Sequence, residues 1–391
     1  METIKLKGMT WAHARGLNPL VAASRVFAAK TGVEISWEAR SLSDFELFPM
    51  EQLAAEYDLI MIDHPHIGVS HAESLLQPLD TLLPATLLED QRVNSVGQSY
   101  ASYHWEGHQY ALPLDAAAQV GAFRRDLLDA AGTSTPRRWH EVFALARKCP
   151  GQVAIPFVPV HAYSSFFTLS SHLNTQLFWS NGAPLDEAVG AEALTLLANL
   201  LAVAHADSRD MDPINMLDRM SQSNEILYSP LVYGYSNYAQ RGYAAHVVEF
   251  ADMPVYAEEG SKFCQTTPHG SMIGGVGLAL STQCKHSDAA LEFMQFVSPA
   301  ETQSTLLFDS GGQPGHRKAW EDAHVNELSH NFYRNTLPTL SLGSLRPRFN
   351  GYVDFQAEAG SRIRQFVMDG IGDKCAFVRE LNALISQCRK E

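Results

Sequence analysis

The segment with the most evident potential for chemistry is Asp63-His64-Pro65-His66. His64 and His66 are separated by one residue, so their side chains share one side if the segment is extended, a conformation that Pro65 favours. One carboxylate and two imidazoles can hold a catalytic metal, which gives the hypothesis of a metal-assisted hydrolase. In the alternative interpretation, one histidine lines a polar crevice and the other faces solvent. No partner cluster of Asp, Glu or His stands out elsewhere, so we expect neither a metal ion nor a catalytic residue.

Aromatic residues form a second pattern. Trp11 ends the first predicted strand, Trp179 lies near the middle of the chain, and Tyr233 and Tyr235 belong to a group of four tyrosines within eleven residues. Aromatic walls with a few placed polar groups are typical of small-molecule sites. Core packing is the alternative for each single ring. A third hypothesis is a ferric-ion site, because Tyr233 and Tyr235 could supply phenolates.

The glycine-rich segment Gly274-Gly275-Val276-Gly277 lacks the spacing of a dinucleotide-binding loop. No glycine loop ends in Gly-Lys-Ser or Gly-Lys-Thr, and there is no Gly-x-Ser-x-Gly elbow. The sequence therefore supports neither a nucleoside-triphosphate site nor a serine nucleophile. We expect Gly274 and Gly275 to let the backbone approach a ligand or a neighbouring strand, and we predict no cofactor.

Alternating strands and helices in the first part of the chain must position these residues. The predicted elements, in chain order, are strand 4–9, helix 18–31 ending near Gly32, strand 33–37, helix 48–57 and strand 58–62. This order predicts an open, mostly parallel α/β sheet with helices on both faces. Because the ligand crevice of such a sheet lies at the carboxyl ends of its strands, the loops after Met9 and Ile62 are expected to line it.

The rest of the chain continues the α/β pattern without an internal repeat or a low-complexity linker. The predicted elements are strands at 110–114 and 120–123, a helix capped by Thr135 with Pro136 in its first position, helices at 163–179 and 188–206, extended chain at 228–238, a short strand at 273–280, and a helix capped by Ser287. Lobes joined by short strands rather than a flexible linker suit hinge closure.

Composition limits the classes of protein that the chain can belong to. It has 391 residues, which predicts two to three domains or lobes, and its 46% hydrophobic and 18% charged residues are typical of a globular protein. Lys and Arg number 29 against 43 Asp and Glu, a net charge of −14. This charge disfavours nucleic acid and anionic lipid as partners. Of the five cysteines, Cys375 and Cys388 could pair, but free thiols are the preferred interpretation.

Four motifs in the same order resemble sugar-type extracellular solute-binding proteins, the ligand-capturing subunits of ATP-binding-cassette (ABC) importers and similar to maltose-binding protein. They are Tyr-Ala-Leu-Pro-Leu-Asp at 110–115 with the helical segments that follow to 142, Gly-Gly-Val-Gly-Leu-Ala-Leu at 274–280, the apolar helix 289–297, and Gly-Gly-Gln-Pro at 311–314. The resemblance covers nearly the whole chain. It implies a two-lobed periplasmic-binding-protein-like fold with discontinuous lobes, 1–113 with 270–312 and 114–269 with 313–391, and a ligand cleft between them.

The resemblance also implies where ligand contacts lie. Asp63 and His64 occupy the loop that supplies polar sugar contacts in maltose-type binders, and Asp115 follows the first crossover. Tyr163 and the pair Tyr233 and Tyr235 occupy the positions of stacking aromatics in the second lobe.

Two segments look like features of one branch of that family, residues 11–16 with Trp11, His13 and Arg15, and residues 346–352 with Arg348. If Arg15 and Arg348 both face the cleft, they favour an acidic solute, since guanidinium groups pair bidentately with anions. Surface or interlobe ion pairs are the alternative for both arginines.

The predicted function is capture of a carbohydrate-like solute by lobe closure and its delivery to a membrane permease, by a monomer that is not an enzyme. No segment approaches the ~20 apolar residues that span a bilayer. The first residues read as a strand rather than a signal peptide, so we expect either a periplasmic protein whose leader has been removed or a cytoplasmic one.

Overall fold

The computed structural model describes residues 3–174, 176–180, 182–258 and 260–390, the side chain of Ser43 excepted. Thr175, which falls in the predicted helix 163–179, lies outside the described residues. None of the described helices is long and apolar enough to cross a membrane.

Eleven strands are present in the described ranges. They are β1 (Lys5–Trp11), β2 (Glu34–Arg40), β3 (Leu59–Ile62), β4 (His104–Trp105), β5 (His108–Gln109), β6 (Ala111–Pro113), β7 (Ala117–Phe123), β8 (Tyr228–Tyr233), β9 (Glu249–Ala251), β10 (Ile273–Gly274) and β11 (Gly277–Leu280).

The α-helices alternate with these strands and then dominate the last third of the chain. They are α1 (Ala14–Thr31), α2 (Leu42–Leu47), α3 (Met50–Glu56), α4 (Ile67–Ala72), α5 (Ala85–Asn94), α6 (Ser99–Ser102), α7 (Arg125–Ala130), α8 (Trp139–Lys148), α9 (Pro159–Leu173), α10 (Glu187–Val203), α11 (Pro213–Gln222), α12 (Ser287–Val297), α13 (Ala300–Thr302), α14 (Arg317–Glu321), α15 (Ala323–Leu328), α16 (Phe332–Ser341), α17 (Tyr352–Asp369) and α18 (Lys374–Cys388).

The first lobe is built around a five-stranded sheet in the order β2-β1-β3-β11-β6. Strand β1 runs parallel to β2 and β3, whereas β11 is antiparallel to β3 and β6. All four residues of β3 are buried, as expected for a central strand with both faces covered. The predicted α/β class is confirmed. The expectation of a mostly parallel sheet is corrected: only the two pairings of β1 are parallel, because β11 inserts between β3 and β6 in the opposite direction.

The second lobe is built around β10-β7-β8, with β9 also pairing with β7, and every pairing is antiparallel. Because Ile273–Gly274 pairs with β7 and Gly277–Leu280 pairs with β3, the chain passes between the two sheets at residues 275–276. The single predicted strand 273–280 is therefore two strands in different sheets. The lobe boundary predicted at 270 moves to about 275, and the remaining boundaries stay a proposal.

Several helix starts differ from the predictions for local reasons. Helix α1 begins at Ala14 because the His13 ring accepts a hydrogen bond from the Arg15 backbone N–H, so Asn18 lies inside the helix. Helix α8 begins at Trp139 rather than at Pro136, since the Glu141 carboxylate accepts from the backbone N–H of Arg137 and Arg138.

One further expectation is corrected and one is confirmed. Helix α12 is preceded by His286 as its cap residue, and Ser287 is its first residue rather than its cap. All five cysteines are free thiols, as preferred from the sequence, so Cys375 and Cys388 do not pair.

The crossing between the sheets depends on Gly275. Its φ of +90° lies in the left-handed region, and a Cβ there would collide with the Asp115 carbonyl oxygen. Glycine meets both demands, since it has no side chain and adopts positive φ freely.

Substitution of Gly275 should therefore be more destabilising than substitution of a glycine with backbone strain alone. Gly132 also has positive φ, but a Cβ at Gly132 would meet no atom within 4 Å, so Gly132→Ala is the matched control. We expect each alanine to cost about 1–2 kcal/mol from the left-handed conformation. We expect Gly275→Ala to cost a further ~1–3 kcal/mol because the backbone must shift. Equal losses in urea unfolding would show that the close approach to Asp115 is unimportant.

Candidate ligand-binding cavity

A cavity of about 590 Å³, its open mouth included, lies where the two sheets meet. It is lined by residues from both lobes and from the segments that connect them: Trp11, Arg15, Leu42, Phe45, Glu46, Asp63, Asp115, Ala117, Val160, His161, Ser164, Pro213, Tyr233, Tyr235, Met272, Gly274, Gly275, Val276 and Arg346.

Strand topology explains why residues distant in sequence meet here. Trp11 ends β1, Asp63 follows β3, and Asp115 follows β6. These three strands point the same way in the first sheet, so their carboxyl ends share one edge.

Arg15 and Asp115 form a buried ion pair on one wall. The Arg15 Nε donates to one Asp115 oxygen at 2.6 Å and its Nη2 to the other at 2.5 Å. Its Nη1 donates to the Gly234 carbonyl at 2.9 Å, just past β8 of the second lobe. Burial alone would lower the pKa of Arg15, but the charge and hydrogen bonds of Asp115 raise it above its ordinary value. Arg15 is thus cationic and fully engaged.

Arg346 and Asp63 form a second buried pair that joins the lobes. The Arg346 Nη2 lies 2.5 and 2.6 Å from the two Asp63 oxygens, and Nη1 donates to the Gln356 amide oxygen of α17 at 3.1 Å. Asp63 also accepts from the His64 backbone N–H and caps the turn that follows β3. Burial opposes ionisation of Asp63, but Arg346 holds its pKa well below the ordinary value.

Glu46 of α2 is the third carboxyl group of the cavity, and it has no such partner. It is partly buried, and its carboxyl makes no hydrogen bond or ion pair with a residue that the structure describes. Burial, and then the negative charge of Asp63, raise the pKa of Glu46 to about 8 despite the opposing effect of Arg346.

Aromatic rings and two unpartnered nitrogens complete the walls. Trp11, Phe45, Tyr233 and Tyr235 line the cavity, and the Arg15 guanidinium lies 4.4 Å from the Tyr235 ring centroid. Trp11 Nε1 and His161 Nδ1 are buried and have no hydrogen-bond partner among the described residues. Burial, followed by the charge of Arg346, lowers the pKa of His161 to about 3, so its ring is neutral.

The structure brings eight of the predicted site residues into the lining of this one cavity, where their part in binding stays a prediction. They are Trp11, Arg15, Asp63, Asp115, Tyr233, Tyr235, Gly274 and Gly275.

Tyr163 and Trp179 do not line the cavity and are corrected to core residues of the second lobe. The Tyr163 hydroxyl lies 2.7 Å from that of Tyr352, and Trp179 Nε1 donates to the Asn382 side chain at 2.7 Å. Both side chains are fully buried in the hydrophobic core that packs on α9 and α17.

His13, His64 and Arg348 also lie outside the lining. His13 caps α1, and His64 is buried behind Asp63 with its pKa lowered to about 4, first by burial and then by Arg346. The Arg348 side chain lies over the Trp105 ring instead of lining the cavity, and it donates to the backbone carbonyls of residues 101, 102 and 104.

Glu46, His161 and Arg346 line the cavity but were not predicted from the sequence. Arg346 is two residues from the predicted Arg348, and side chains at this spacing share one side of an extended segment, so the spacing does not distinguish them. Glu46 lies on the short helix α2, which was not predicted, and His161 lies in the first turn of α9.

The geometry also bears on the two metal hypotheses. Residues 3–174, 176–180, 182–258 and 260–390 contain no group of three His, Cys, Asp or Glu side chains placed to hold a metal ion. Asp63 is committed to Arg346, and the pKa of His66 is lowered by burial. Burial raises the pKa values of Tyr233 and Tyr235, which opposes the phenolates that ferric iron needs.

A ligand-sized cavity between two α/β lobes defines a binding protein of the kind that closes around a solute. The family model of the bacterial extracellular solute-binding protein matches residues 11–304, and the chain belongs to this family.

Solved structures share the fold over the whole chain. The solute-binding protein of an ABC transporter from Agrobacterium radiobacter K84, in complex with ribitol, is 18% identical with a TM-score of 0.78 and 99% coverage of both chains. Maltose-bound MalE3 of T. maritima is 14% identical, with a TM-score of 0.83 and coverage of 98% of this chain and 99% of that chain. The GacH receptor of Streptomyces glaucescens is 16% identical, with a TM-score of 0.80 and full coverage of both. A search of the curated proteins gives no match.

The Arg346–Asp63 pair makes a prediction about stability and pH. Asp63→Asn should keep the cap, because Asn caps as well as Asp, but leave a buried guanidinium unpaired at a cost of about 3–5 kcal/mol at pH 7. Asp63 has a depressed pKa when folded. Its contribution is therefore full above the ordinary carboxyl range near pH ~4 and is lost as the pH falls towards the folded value.

The measurement is urea unfolding at pH 7 and at pH values below 4. Asp373→Asn is the control, since Asp373 caps α18 at an exposed position without an ion pair. A loss for Asp63→Asn no greater than that of the control, or one independent of pH, would contradict the role assigned to the pair.

Proposed function

We propose that the protein captures a carbohydrate or carbohydrate-derived small molecule in this cavity and delivers it to the permease of an ABC transporter. The observation that carries the proposal is the composition of the cavity wall. Aromatic faces from both lobes can cover the C–H surfaces of a sugar or polyol, and unpartnered polar atoms such as Trp11 Nε1 and His161 Nδ1 can meet its hydroxyls. The ribitol and maltose complexes of the similar structures support this ligand class.

An acidic solute is not part of the proposal. Arg15 and Arg346 are each held by a carboxylate, and Arg348 lies outside the cavity. An acidic ligand would add a negative charge beside Glu46 without finding a free cation. A polyhydroxy solute without an acid group meets no such penalty.

The family description supports a binding role outside the cytoplasmic membrane, and the proposal includes no catalytic step. Residues of both lobes line the cavity, and capture by a monomer is part of the proposal. The Arg346–Asp63 pair joins the lobes at the cavity, so solute entry requires the lobes to separate there.

The test of ligand class is a thermal-shift screen with neutral sugars, polyols and sugar acids. A neutral ligand at 100 times its dissociation constant should add about 2.7 kcal/mol to the free energy of unfolding. Binding should survive EDTA, since it needs no metal. Stabilisation by sugar acids alone would overturn the proposal of a solute without an acid group, and dependence on a divalent ion would favour the hydrolase hypothesis.

Two tryptophans separate ligand contact from core packing. Trp11→Phe removes a buried, unpartnered donor from a residue of the cavity lining, so calorimetry should show about tenfold weaker binding of the screened ligand, or ~1.4 kcal/mol. Trp179→Phe is the control, because its indole donates to Asn382 inside the second lobe. It should lower the melting temperature and leave the affinity unchanged. Equal effects of the two variants on affinity would remove Trp11 from the site.

A further inference from the structure

We infer that the solute carries a positively charged amine as well as hydroxyl groups, and that the carboxylate of Glu46 holds this amine. The inference rests on the proposed function and deepens it by naming the substrate class: an amino sugar or an amino polyol.

The geometry of the three cavity carboxyls is the first argument. Asp63 and Asp115 each accept two hydrogen bonds from one guanidinium. Glu46 lines the same cavity and has no partner among the described residues. A partly buried carboxyl with a raised pKa and no cationic partner is largely protonated near neutral pH. A cationic group from the ligand would lower that pKa, ionise Glu46 and complete the site.

The charges around Glu46 indicate the sign of the charge that the ligand carries. The groups that interact electrostatically with Glu46 are Asp63, Arg346 and Asp212, together with the hydroxyls of Tyr233 and Tyr235. Among the described lining residues, two arginines neutralise two aspartates, which leaves Glu46 as the carboxyl without a cationic partner. Asp212, at the start of α11 beside the lining residue Pro213, adds a second negative charge nearby. An ammonium group is attracted by this arrangement and a carboxylate is repelled.

The aromatic walls suit the same ligand. A cation can lie over the face of an aromatic ring, as the Arg15 guanidinium already does over Tyr235. Trp11, Phe45 and Tyr233 offer further faces in the cavity.

Two buried nitrogens indicate that the ligand carries hydrogen-bonding groups besides an amine. Trp11 is 4% exposed and His161 is 2% exposed, and Trp11 Nε1 and His161 Nδ1 have no hydrogen-bond partner in the described part of the chain. The indole N–H can donate to a hydroxyl oxygen, and the neutral imidazole can exchange one hydrogen bond with a second hydroxyl. The ligand class therefore combines hydroxyls with an amine.

The test uses two matched sets of probes that differ in one group: glucosamine, glucose and glucuronate, and 1-amino-1-deoxyglucitol, glucitol and gluconate. Calorimetry on the full chain at pH 7 should give binding of the amine about tenfold tighter than that of the hydroxyl probe in at least one set, and no binding of the acid. Glu46→Gln keeps the size of the side chain and should abolish the preference, so that the amine and hydroxyl probes bind about equally. Glu51→Gln, on the exposed surface of α3, should leave the preference intact.

The outcomes separate this inference from the proposed function. If hydroxyl probes bind as tightly as amines, or if Glu46→Gln keeps the preference, the amine inference is overturned while carbohydrate capture stands. If no probe of either set and no sugar of the earlier screen binds to the folded protein, both are overturned. Glu46→Asp, which retains the charge on a shorter side chain, should preserve part of the preference. Complete loss of the amine preference in Glu46→Asp would argue against an effect of the Glu46 charge.

Discussion

Two buried arginine–aspartate pairs fix the walls of the cavity, and the chemistry of the site depends on them. Arg346 ties the loop after β3 to the second lobe through Asp63, and Arg15 ties Asp115 to the Gly234 carbonyl. Burying four charges is costly unless each is paired with good geometry, and bidentate contacts provide that geometry. Since each cation is balanced by an anion inside the wall, neither arginine is free for an anionic ligand.

The parts of the fold that follow from local sequence could be predicted. Strand β3 is a short apolar run and Asp63 comes directly after it, so the topology rule places that carboxyl at the crevice without knowledge of distant residues. Its partner could not be predicted in the same way. Arg346 lies 283 residues away, and the choice between Arg346 and Arg348 depends on which one finds Asp63 and which one finds the carbonyls at 101–104.

For aromatic residues on helices, the sequence likewise did not show which ones line the cavity. Tyr233 ends β8 and Tyr235 follows it at the cavity, so their position along the chain was informative. Tyr163 lies on α9, whose residues from His161 to Leu173 are all buried, and such a helix has no polar face to show which side meets a ligand. Glu46 was missed because α2 has only six residues, too few to show a helical period.

The interlobe pair also affects the balance between open and closed forms. When the lobes separate, Arg346 and Asp63 regain water, and the attraction lost is largely offset by their hydration. The pair therefore fixes the register in which the lobes meet more than it stabilises the closed form. Under the proposed function, the free energy that favours closure comes from groups satisfied only when a solute is enclosed, above all Trp11 Nε1, His161 Nδ1 and the carboxyl of Glu46. On that proposal, selectivity and closure depend on the same few atoms, and a solute that leaves one of them unmatched is bound less tightly and closes the lobes less completely.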